Sequence, residues 1–400
     1  MEEKENVEIN SIPKLFWNTV QDRAEKIAMR EKHLGLWQET TWSSYGESAK
    51  FTGLALRSLG LEKGDVVSIA SEGIPEWLFT DMGTIGAGGI SSGIYTTDSA
   101  AQVKYLVNDS KTKFYFAENE EQLDKILEVR DECPSLKKII VYDMEGLNDF
   151  KDDQVLSYDE FIQLGKKLDR DQPDLWLELI NSVEAKDIAI LVYTSGTTGP
   201  SKGAMINHKN LLYSVNTGVE IFEVREHEEQ LSFLPLCHIL ERSVSVMFPL
   251  KTGAIVNFAE SIDTVPENIR EVSPTVFVAV PRIWEKFYSS ITILMKDATF
   301  VGRYFYNLSI NTGAKYKEYF IEGKKPPLKL KLTFWMCNQL VLKNIKKLLG
   351  LNNCRYALSG AAPISPELIN WYLSLGIDMR EGWGMTETAG VGTAFYSREI

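Results

Sequence analysis

The sequence predicts an α/β fold with at least two subdomains, and three observations lead to that prediction. Short branched apolar segments alternate with longer amphipathic segments along most of the chain, which is the pattern of layered strands and helices. Gly, Pro, Asn and Asp separate these segments where turns are expected. The chain has 400 residues, more than a single hydrophobic core usually serves. We therefore place approximate subdomains at residues 50–190 and 191–390.

The first half alternates helix and strand in a regular order. Residues with hydroxyl side chains, which can cap the amino terminus of a helix, follow Trp42. The predicted helix runs from this point to a stop at Gly60. Residues 66–70 then form a short buried strand. The same reasoning predicts a helix at 77–85, strands at 90–95, 114–116 and 138–142, and a helix cap at 97–100. The glycines at 86–89 follow a helix rather than a strand, so they do not make a dinucleotide-binding fingerprint.

The second half continues the alternation after a polar stretch at 144–185, which we interpret as a solvated connection with one or two short helices. Residues 188–192 form an apolar, branched run suited to a buried strand, and residues 207–219 look helical. Further strands are predicted at 230–238, 254–258 and 274–281. Strands and helices therefore alternate over both halves of the chain.

Composition excludes several classes of function. The net charge is −12, from 43 basic and 55 acidic residues, which argues against a general nucleic-acid binder. The amino terminus is acidic with no apolar segment behind it, so secretion and membrane spanning are not expected. The four cysteines are scattered without metal-ligand spacing, which indicates reduced thiols in the cytoplasm. Cys237 and His238 are adjacent in a predicted strand and point to opposite faces, so they are not a catalytic pair.

The richest local signal is the segment at 193–203, which reads YTSGTTGPSKG. Three glycines, five Ser or Thr residues and Lys202 follow a predicted strand, so backbone N–H groups are left uncovered where a phosphate chain could lie. The spacing is not that of a P-loop, because Ser201 stands where the P-loop has glycine. A flexible surface turn is the alternative interpretation of the same composition.

Two segments near the carboxyl end add further chemistry. Residues 356–363 form a strand that ends in small residues, where a flat ring could approach the backbone. Residues 381–388 bring an aromatic ring, hydroxyls and a carboxylate together. Trp383 could stack on a purine, and Glu387 could bind Mg²⁺ beside phosphate oxygens. Alternatively, Glu387 is an acid that complements a helix dipole.

In this order, the three segments resemble the adenylate-forming superfamily, from about Trp42 to the end of the chain. Within it the sequence is most similar to long-chain acyl-CoA synthetases of the bubblegum type, through residues 234–242 (LPLCHILER) and 281–286 (PRIWEK). The resemblance implies an amino-terminal domain with two mixed or parallel sheets in a layered αβαβα arrangement. It also implies that residues 1–400 are a truncated form, incomplete at the carboxyl end and lacking the small lid domain with its catalytic lysine.

The resemblance also implies roles for individual residues, carried over by position. Thr194 and Glu387 lie near Mg²⁺, and His238 lies beside the acyl carboxylate. Arg242 lies near the entrance of the acyl tunnel, and Thr386 contacts the α-phosphate. The residues implied to hold ATP are Thr194, Ser195, Gly196, Thr197, Thr198, Gly199 and Lys202 for the phosphates, with Gly360, Ala361, Glu381, Gly382 and Trp383 around adenine.

The implied reaction joins a fatty acid to the thiol of CoA, with ATP and Mg²⁺, through an acyl-adenylate. A chain without the lid domain is expected to show little or no such activity. Two alternatives stay open at this point, namely an adenylating enzyme for another carboxylic acid and a non-catalytic protein that binds acyl groups or nucleotides. The sequence predicts neither the acyl chain length nor the oligomeric state.

Residues 315–350 differ in charge from the rest of the chain. They hold nine lysines and two glutamates, a local net charge of +7. A helical wheel places Phe334, Cys337, Val341, Ile345 and Leu348 on one face, with Lys343, Lys346 and Lys347 largely off it. An ordinary surface helix with solvated lysines explains this pattern. The alternative is an interfacial helix that makes peripheral contact with an anionic membrane.

Overall fold

The computed structural model describes residues 9–194, 199–390 and 392–394. Predicted phosphate contacts at Ser195, Gly196, Thr197 and Thr198 therefore lie outside the described residues. The chain divides into two units, one made of Met1–Arg225 with Leu234–Gly253 and the other of Glu226–Phe233 with Ala254–Ile400. The predicted subdomain limits, 50–190 and 191–390, stay a prediction.

The first unit contains nine strands and ten α-helices among its described residues. Its strands are β1 (Ile27–His33), β2 (Leu36–Thr41), β3 (Val66–Ala70), β4 (Ile90–Ile94), β5 (Phe114–Ala117), β6 (Lys138–Val141), β7 (Val155–Ser157), β8 (Ile188–Thr194) and β9 (Lys202–Asn207). Its helices are α1 (Ile12–Asp22), α2 (Trp42–Ser58), α3 (Pro75–Gly86), α4 (Ala100–Ser110), α5 (Glu120–Val129), α6 (Tyr158–Asp171), α7 (Leu175–Ser182), α8 (His208–Ile221), α9 (Ile239–Glu241) and α10 (Phe248–Thr252), with a π-helical segment, Arg242–Met247, joining the last two.

The main sheet of this unit has seven strands in the order β7-β6-β5-β3-β4-β8-β9. All neighbouring strands are parallel except β9, which runs antiparallel to β8. The strand order reverses direction at β3 and β4, as expected of a doubly wound sheet. Strands β1 and β2 form a separate antiparallel hairpin. The carboxyl ends of β4 and β8 therefore lie at the same edge of the main sheet.

Close helix packing depends on glycine at two crossings. A Cβ on Gly165 of α6 would lie 1.9 Å from the carbonyl oxygen of Phe51 in α2. A Cβ on Gly53 of α2 would lie 2.4 Å from the ring of Trp176, which is almost completely buried. Only glycine leaves room for the Phe51 carbonyl at one position and the Trp176 ring at the other. The predicted solvated connection at 144–185 is thus wrong in part, because α6 and α7 pack into the core.

The second unit contains six strands and six α-helices among its described residues. Its strands are β10 (Glu229–Ser232), β11 (Ile255–Phe258), β12 (Val276–Ala279), β13 (Tyr356–Ser359), β14 (Asp378–Trp383) and β15 (Thr393–Ala394). Its helices are α11 (Val265–Val272), α12 (Pro281–Asp297), α13 (Phe300–Ile321), α14 (Leu328–Cys337), α15 (Lys343–Leu348) and α16 (Pro366–Ser374), with a π-helical segment at Asn338–Leu342 and a 3-10 helix at Thr386–Thr388.

Strands β12, β13 and β14 are parallel neighbours, and β15 runs antiparallel to β14. Strands β10 and β11 form a second parallel pair. The predicted α/β class with mixed and parallel sheets is confirmed. The strand predicted at 230–238 is too long, since β10 ends at Ser232. Within the described residues, no helix has both the length and the apolar character needed to cross a membrane.

Candidate active site

The segment at 193–203 joins β8 to β9, and Thr194 is paired with Lys202 across the two strands. Thr194 is half-buried at the carboxyl end of β8, and the Lys202 side chain is exposed. Gly199 has φ +90°, and a Cβ built there would meet nothing within 4 Å. Open space and a left-handed backbone are features that leave amides uncovered for an anion. The ends of the loop therefore suit the predicted role, which stays a prediction.

Helix α4 anchors both ends of this loop through two tyrosine contacts that sequence reasoning missed. The hydroxyl of Tyr105 donates to the carbonyl oxygen of Ser201 at 2.8 Å. On the other side, the hydroxyl of Tyr193 donates to Oδ2 of Asp109, also at 2.8 Å. Burial and then the Asp109 carboxylate raise the pKa of Tyr193, so the phenol keeps its proton. These contacts fix the loop at its base.

His238 caps a short helix instead of ending a strand. Its N–H donates to the carbonyl oxygen of Pro235 at 2.9 Å, and its Nδ1 accepts from the N–H of Leu240 at 3.1 Å. Burial lowers the pKa of His238, which favours the neutral imidazole. Because Nδ1 is an acceptor, Nε2 carries the proton. His238 can therefore donate one hydrogen bond from Nε2 to a substrate oxygen.

Close packing holds the turn before His238 against the main sheet. A Cβ on Gly93, in β4, would lie 2.5 Å from Cβ of Cys237. The Cys237 thiol is buried and its pKa is raised to about 12, chiefly by burial. A thiol held protonated in this way is a poor nucleophile. The exclusion of a catalytic Cys237 and His238 pair therefore rests on burial, since the two residues do not lie in a strand.

Arg242 anchors the other side of this turn. Its guanidinium forms an ion pair with Asp81 of α3, and neither side chain is exposed to solvent. The guanidinium also lies over the ring of Trp77, 4.9 Å from the ring centre. The N–H of Arg242 donates to the carbonyl oxygen of His238 at 3.1 Å. Arg242 therefore supports the His238 turn from inside the core.

In the second unit, the predicted adenine contacts gather at one edge of the parallel strands. Residue Ser359 of β13 pairs with Glu381 of β14, so Gly360 and Ala361 follow β13 beside the end of β14. Oε1 of Glu381 accepts from the N–H of Ile364 at 3.3 Å, which ties β14 to this turn. Ligands of open α/β sheets bind at the carboxyl ends of the strands.

Ala361 and Trp383 have features that suit an approaching flat ring. Ala361 has φ +67°, an uncommon left-handed conformation for a residue with a side chain. The Trp383 side chain is 54% exposed, and a Cβ on Gly392 would lie 2.7 Å from its ring. Gly382 pairs with Ala394 in the adjacent strand. The backbone therefore supports one side of the indole ring and leaves the other accessible.

Thr386 and Glu387 lie directly after β14, in a 3-10 helix of three residues. Thr386 is half-buried and Glu387 is exposed. A Cβ on Gly384 would lie 1.7 Å from the carbonyl oxygen of Gly390, so the chain folds back tightly here. A helix this short aligns few peptide dipoles, which weakens the dipole interpretation of Glu387. The role of Glu387 at a metal ion stays a prediction.

No group of three or more His, Cys, Asp or Glu side chains suited to a metal ion occurs in the part of the chain that the structure describes. Mg²⁺ bound with nucleotide usually takes one or two protein ligands and completes its shell with water and phosphate oxygens. Thr194 and Glu387 are oxygen donors of the required kind. Their role at Mg²⁺ stays a prediction.

Comparison with known proteins decides the family. The sequence profile described as AMP-binding enzyme matches residues 16–399. The chain belongs to the AMP-binding enzyme family. It is 32% identical over 388 residues to a long-chain-fatty-acid–CoA ligase, ACSBG2, of Xenopus laevis, an alignment covering 95% of this chain and 51% of the relative. The predicted resemblance to adenylate-forming enzymes of the bubblegum type is thereby confirmed.

Solved structures of this AMP-binding fold agree with the architecture. A fatty acyl CoA synthetase of Mycobacterium tuberculosis superposes with a TM-score of 0.70 at 17% identity, covering 98% of this chain and 63% of that one. The anthranilate CoA ligase AuaEII, in complex with anthranoyl-AMP, gives a TM-score of 0.69 at 20% identity, covering 98% and 62%. The chain spans about half the length of the curated relatives it matches.

Proposed function

We propose that this AMP-binding chain supplies the nucleotide and acyl sites of a long-chain fatty acid–CoA ligase. The reaction would consume ATP, a fatty acid and CoA and release acyl-CoA, AMP and diphosphate through an acyl-adenylate. The observation that carries the proposal is the shared sheet edge in the first unit, where Thr194 ends β8 and Gly93 of β4 contacts the turn bearing His238. The similarity to long-chain-fatty-acid–CoA ligases supports the choice of acid.

The residues suit the first half-reaction, in which a carboxylate oxygen attacks the α-phosphorus and diphosphate leaves. Two anions must approach each other, so catalysis depends on positioning and on dispersal of charge. Lys202 and the loop hydroxyls would neutralise the phosphates, and His238 would orient the carboxylate through Nε2. Thr386 would contact the α-phosphate. The step requires no covalent nucleophile from the protein.

The purine would stack on Trp383, with Gly360 and Ala361 bordering it and Glu381 and Gly382 beside them. Mg²⁺ would be held by Thr194 and Glu387 and would supply charge neutralisation to the phosphate oxygens. In the second half-reaction, the thiol of CoA would attack the acyl carbonyl and release AMP.

Calorimetry with non-hydrolysable acyl-adenylate mimics of increasing chain length tests the proposal. We expect the affinity to rise with chain length into the long-chain range. In a separate titration with ATP, we expect Lys202→Ala to weaken binding. Lys209→Ala, another exposed lysine of the same unit, serves as the matched control. Preference for short or aromatic acyl groups would favour a different adenylating enzyme. Tight binding without diphosphate release by any longer form of the protein would favour a non-catalytic binder.

We further propose that the protein is cytoplasmic and that residues 315–350 make peripheral contact with an anionic membrane surface. Support comes from the local charge of +7 and from the exposure of Lys329, Lys331, Lys343 and Lys347. Clustered lysines near a helix attract anionic lipid headgroups by about 1 kcal/mol each. Sedimentation with anionic vesicles that weakens at high salt is the expected result.

A further inference from the structure

One continuous helical segment spans α14, the π-helical turn and α15, residues 328–348. Its inner face is the one that the helical wheel proposed for membrane contact. Phe334 stacks on Tyr316 of α13, with ring centres 4.2 Å apart, and Cys337 and Ile345 are buried. That face packs against the second unit and is not available to a membrane. A membrane contact of this helix would therefore have to use a different face.

The opposite face of the same segment is also apolar, and it is exposed. Five side chains follow the helical spacing i, i+4, i+7, i+8 and i+12. We call these five side chains the apolar stripe. They are Leu328, Leu332, Trp335, Met336 and Leu340, and their exposed fractions are 82%, 58%, 57%, 50% and 65%. Contiguous exposed apolar side chains of this kind mark surfaces that contact another apolar phase.

The charge around the apolar stripe has one sign. Residues 323–350 contain seven lysines and no Asp or Glu, in a chain whose net charge is −12. Four of those lysines, Lys329, Lys331, Lys343 and Lys347, are exposed on the same helical segment. Within the described ranges, none of these four is paired with an acid at salt-bridge distance. The stripe is therefore an apolar surface inside a positive field.

We propose that the apolar stripe is the surface that docks on an anionic lipid bilayer. Lysines on the flanks would reach phosphate headgroups, while leucines and Trp335 would enter the boundary between headgroups and acyl chains, where indole rings are favoured. A bilayer fits better than a second copy of this chain, because like charges on two facing stripes would repel each other. This inference rests on the proposed membrane contact and names the side chains that make it.

Sedimentation with vesicles of phosphatidylcholine, with and without phosphatidylserine, tests the inference. We expect wild-type protein to sediment with the anionic vesicles and the double variant Leu332→Ser/Trp335→Ser to bind at least about tenfold more weakly. Each of Lys329→Glu and Lys343→Glu should weaken binding about fivefold or more, and less so as salt is raised. These side chains are exposed, so far-ultraviolet circular dichroism should be unchanged.

Matched controls distinguish binding through the apolar stripe from non-specific adsorption to vesicles. Phe305→Ser/Leu308→Ser changes two exposed apolar residues of α13, and Lys167→Glu changes an exposed lysine of the first unit. Both controls should bind vesicles as wild type does. Quenching of tryptophan fluorescence by brominated lipid should disappear in Trp335→Phe and persist in Trp383→Phe, although the two residues are similarly exposed, at 57% and 54%.

The outcomes are distinct. If wild-type protein fails to bind anionic vesicles, the membrane contact itself is overturned while the ligase proposal stands. If wild type binds and the stripe variants bind equally well, only the assignment of the stripe is overturned. A concentration-dependent dimer that dissociates in Leu332→Ser/Trp335→Ser, with no lipid binding, would assign the stripe to a second copy instead.

Discussion

Replacing Asp81 with alanine should destabilise the first unit severely. Asp81 and Arg242 are both fully buried and paired, and Arg242 Nε and Nη1 have no hydrogen-bond partner in the described structure. Asp81→Ala would leave a guanidinium in the core with only the ring of Trp77 beside it. Because a buried charge without its counter-ion loses both hydration and pairing, the expected loss of unfolding free energy is about 3–5 kcal/mol.

The double variant Asp81→Leu/Arg242→Met should be much more stable than Asp81→Ala. Replacing both charges with apolar groups of similar volume removes the cost of burying them. The free energy of unfolding should therefore fall by less than about 2 kcal/mol, or rise. The exposed pair of Lys104 and Glu132, with nitrogen and oxygen 3.0 Å apart, provides the control. Lys104→Ala should cost less than about 1 kcal/mol.

Urea unfolding followed by tryptophan fluorescence and circular dichroism measures wild type, these three variants, and the single variants Asp81→Leu and Arg242→Met that complete a double-mutant cycle. The decisive quantity is the coupling free energy from the double-mutant cycle of Asp81 and Arg242. If Asp81→Ala unfolded at the same urea concentration as wild type, an uncompensated charge at Arg242 would not be destabilising and the prediction would fail. A double variant as unstable as the single one would instead show that shape, and not charge, dominates this contact.

Three further predictions concern pH and nucleotide binding. Burial lowers the pKa of His208 to about 4, so on acidification the unfolded chain binds this proton before the folded chain does. The contribution of His208 to the free energy of unfolding is therefore fully present above pH ~6.5 and falls by roughly 3 kcal/mol by pH ~4. In urea titrations over that range, the stability advantage over His208→Asn should shrink accordingly; a constant difference would contradict the assignment. Trp383→Ala should weaken AMP binding in calorimetry by about 1–3 kcal/mol, as expected for a lost base stack, with Trp383→Phe retaining most of it. Tyr105→Phe removes the hydrogen bond to Ser201 and should weaken ATP binding about fivefold while leaving adenosine binding unchanged; equal effects on both ligands would place the hydroxyl's influence elsewhere.

Local patterns predicted much of the fold because they report interactions between residues close in sequence. The apolar run at 188–192 became β8, and α2 begins at Trp42 as expected, although its cap is Thr41 and not a hydroxyl residue that follows Trp42. Buried parallel strands and capped helices carry these signals in a few consecutive residues. Tertiary burial carries no such signal. The stretch at 144–185 looked solvated, yet Trp176 within it fills a space that the glycines of α2 and α3 leave open.

The helix at 328–348 shows why periodicity alone could not assign its faces. Phe334, Cys337 and Ile345 form one apolar set, while Leu332 and Leu340 belong to another on the opposite side. Both sets repeat with helical spacing, and the wheel shows only that each is apolar. The partner decides which set is buried, and here that partner is Tyr316, in a different helix. Long-range packing, which local periodicity does not encode, decides which of the two sets is exposed.

The position of His238 likewise depends on residues that no motif contains. Gly93 admits the backbone at Cys237 on one side of the turn, and Asp81 holds Arg242 on the other, 161 residues away in sequence. Between these supports, Nδ1 is already occupied by a backbone N–H, so only Nε2 can reach a substrate. Changes at Gly93 or Asp81 should therefore act on carboxylate positioning without touching the adenine contacts, which are built on β13 and β14 of the other unit. A loss of acyl-adenylate affinity that leaves AMP affinity intact is the signature expected of such positioning residues.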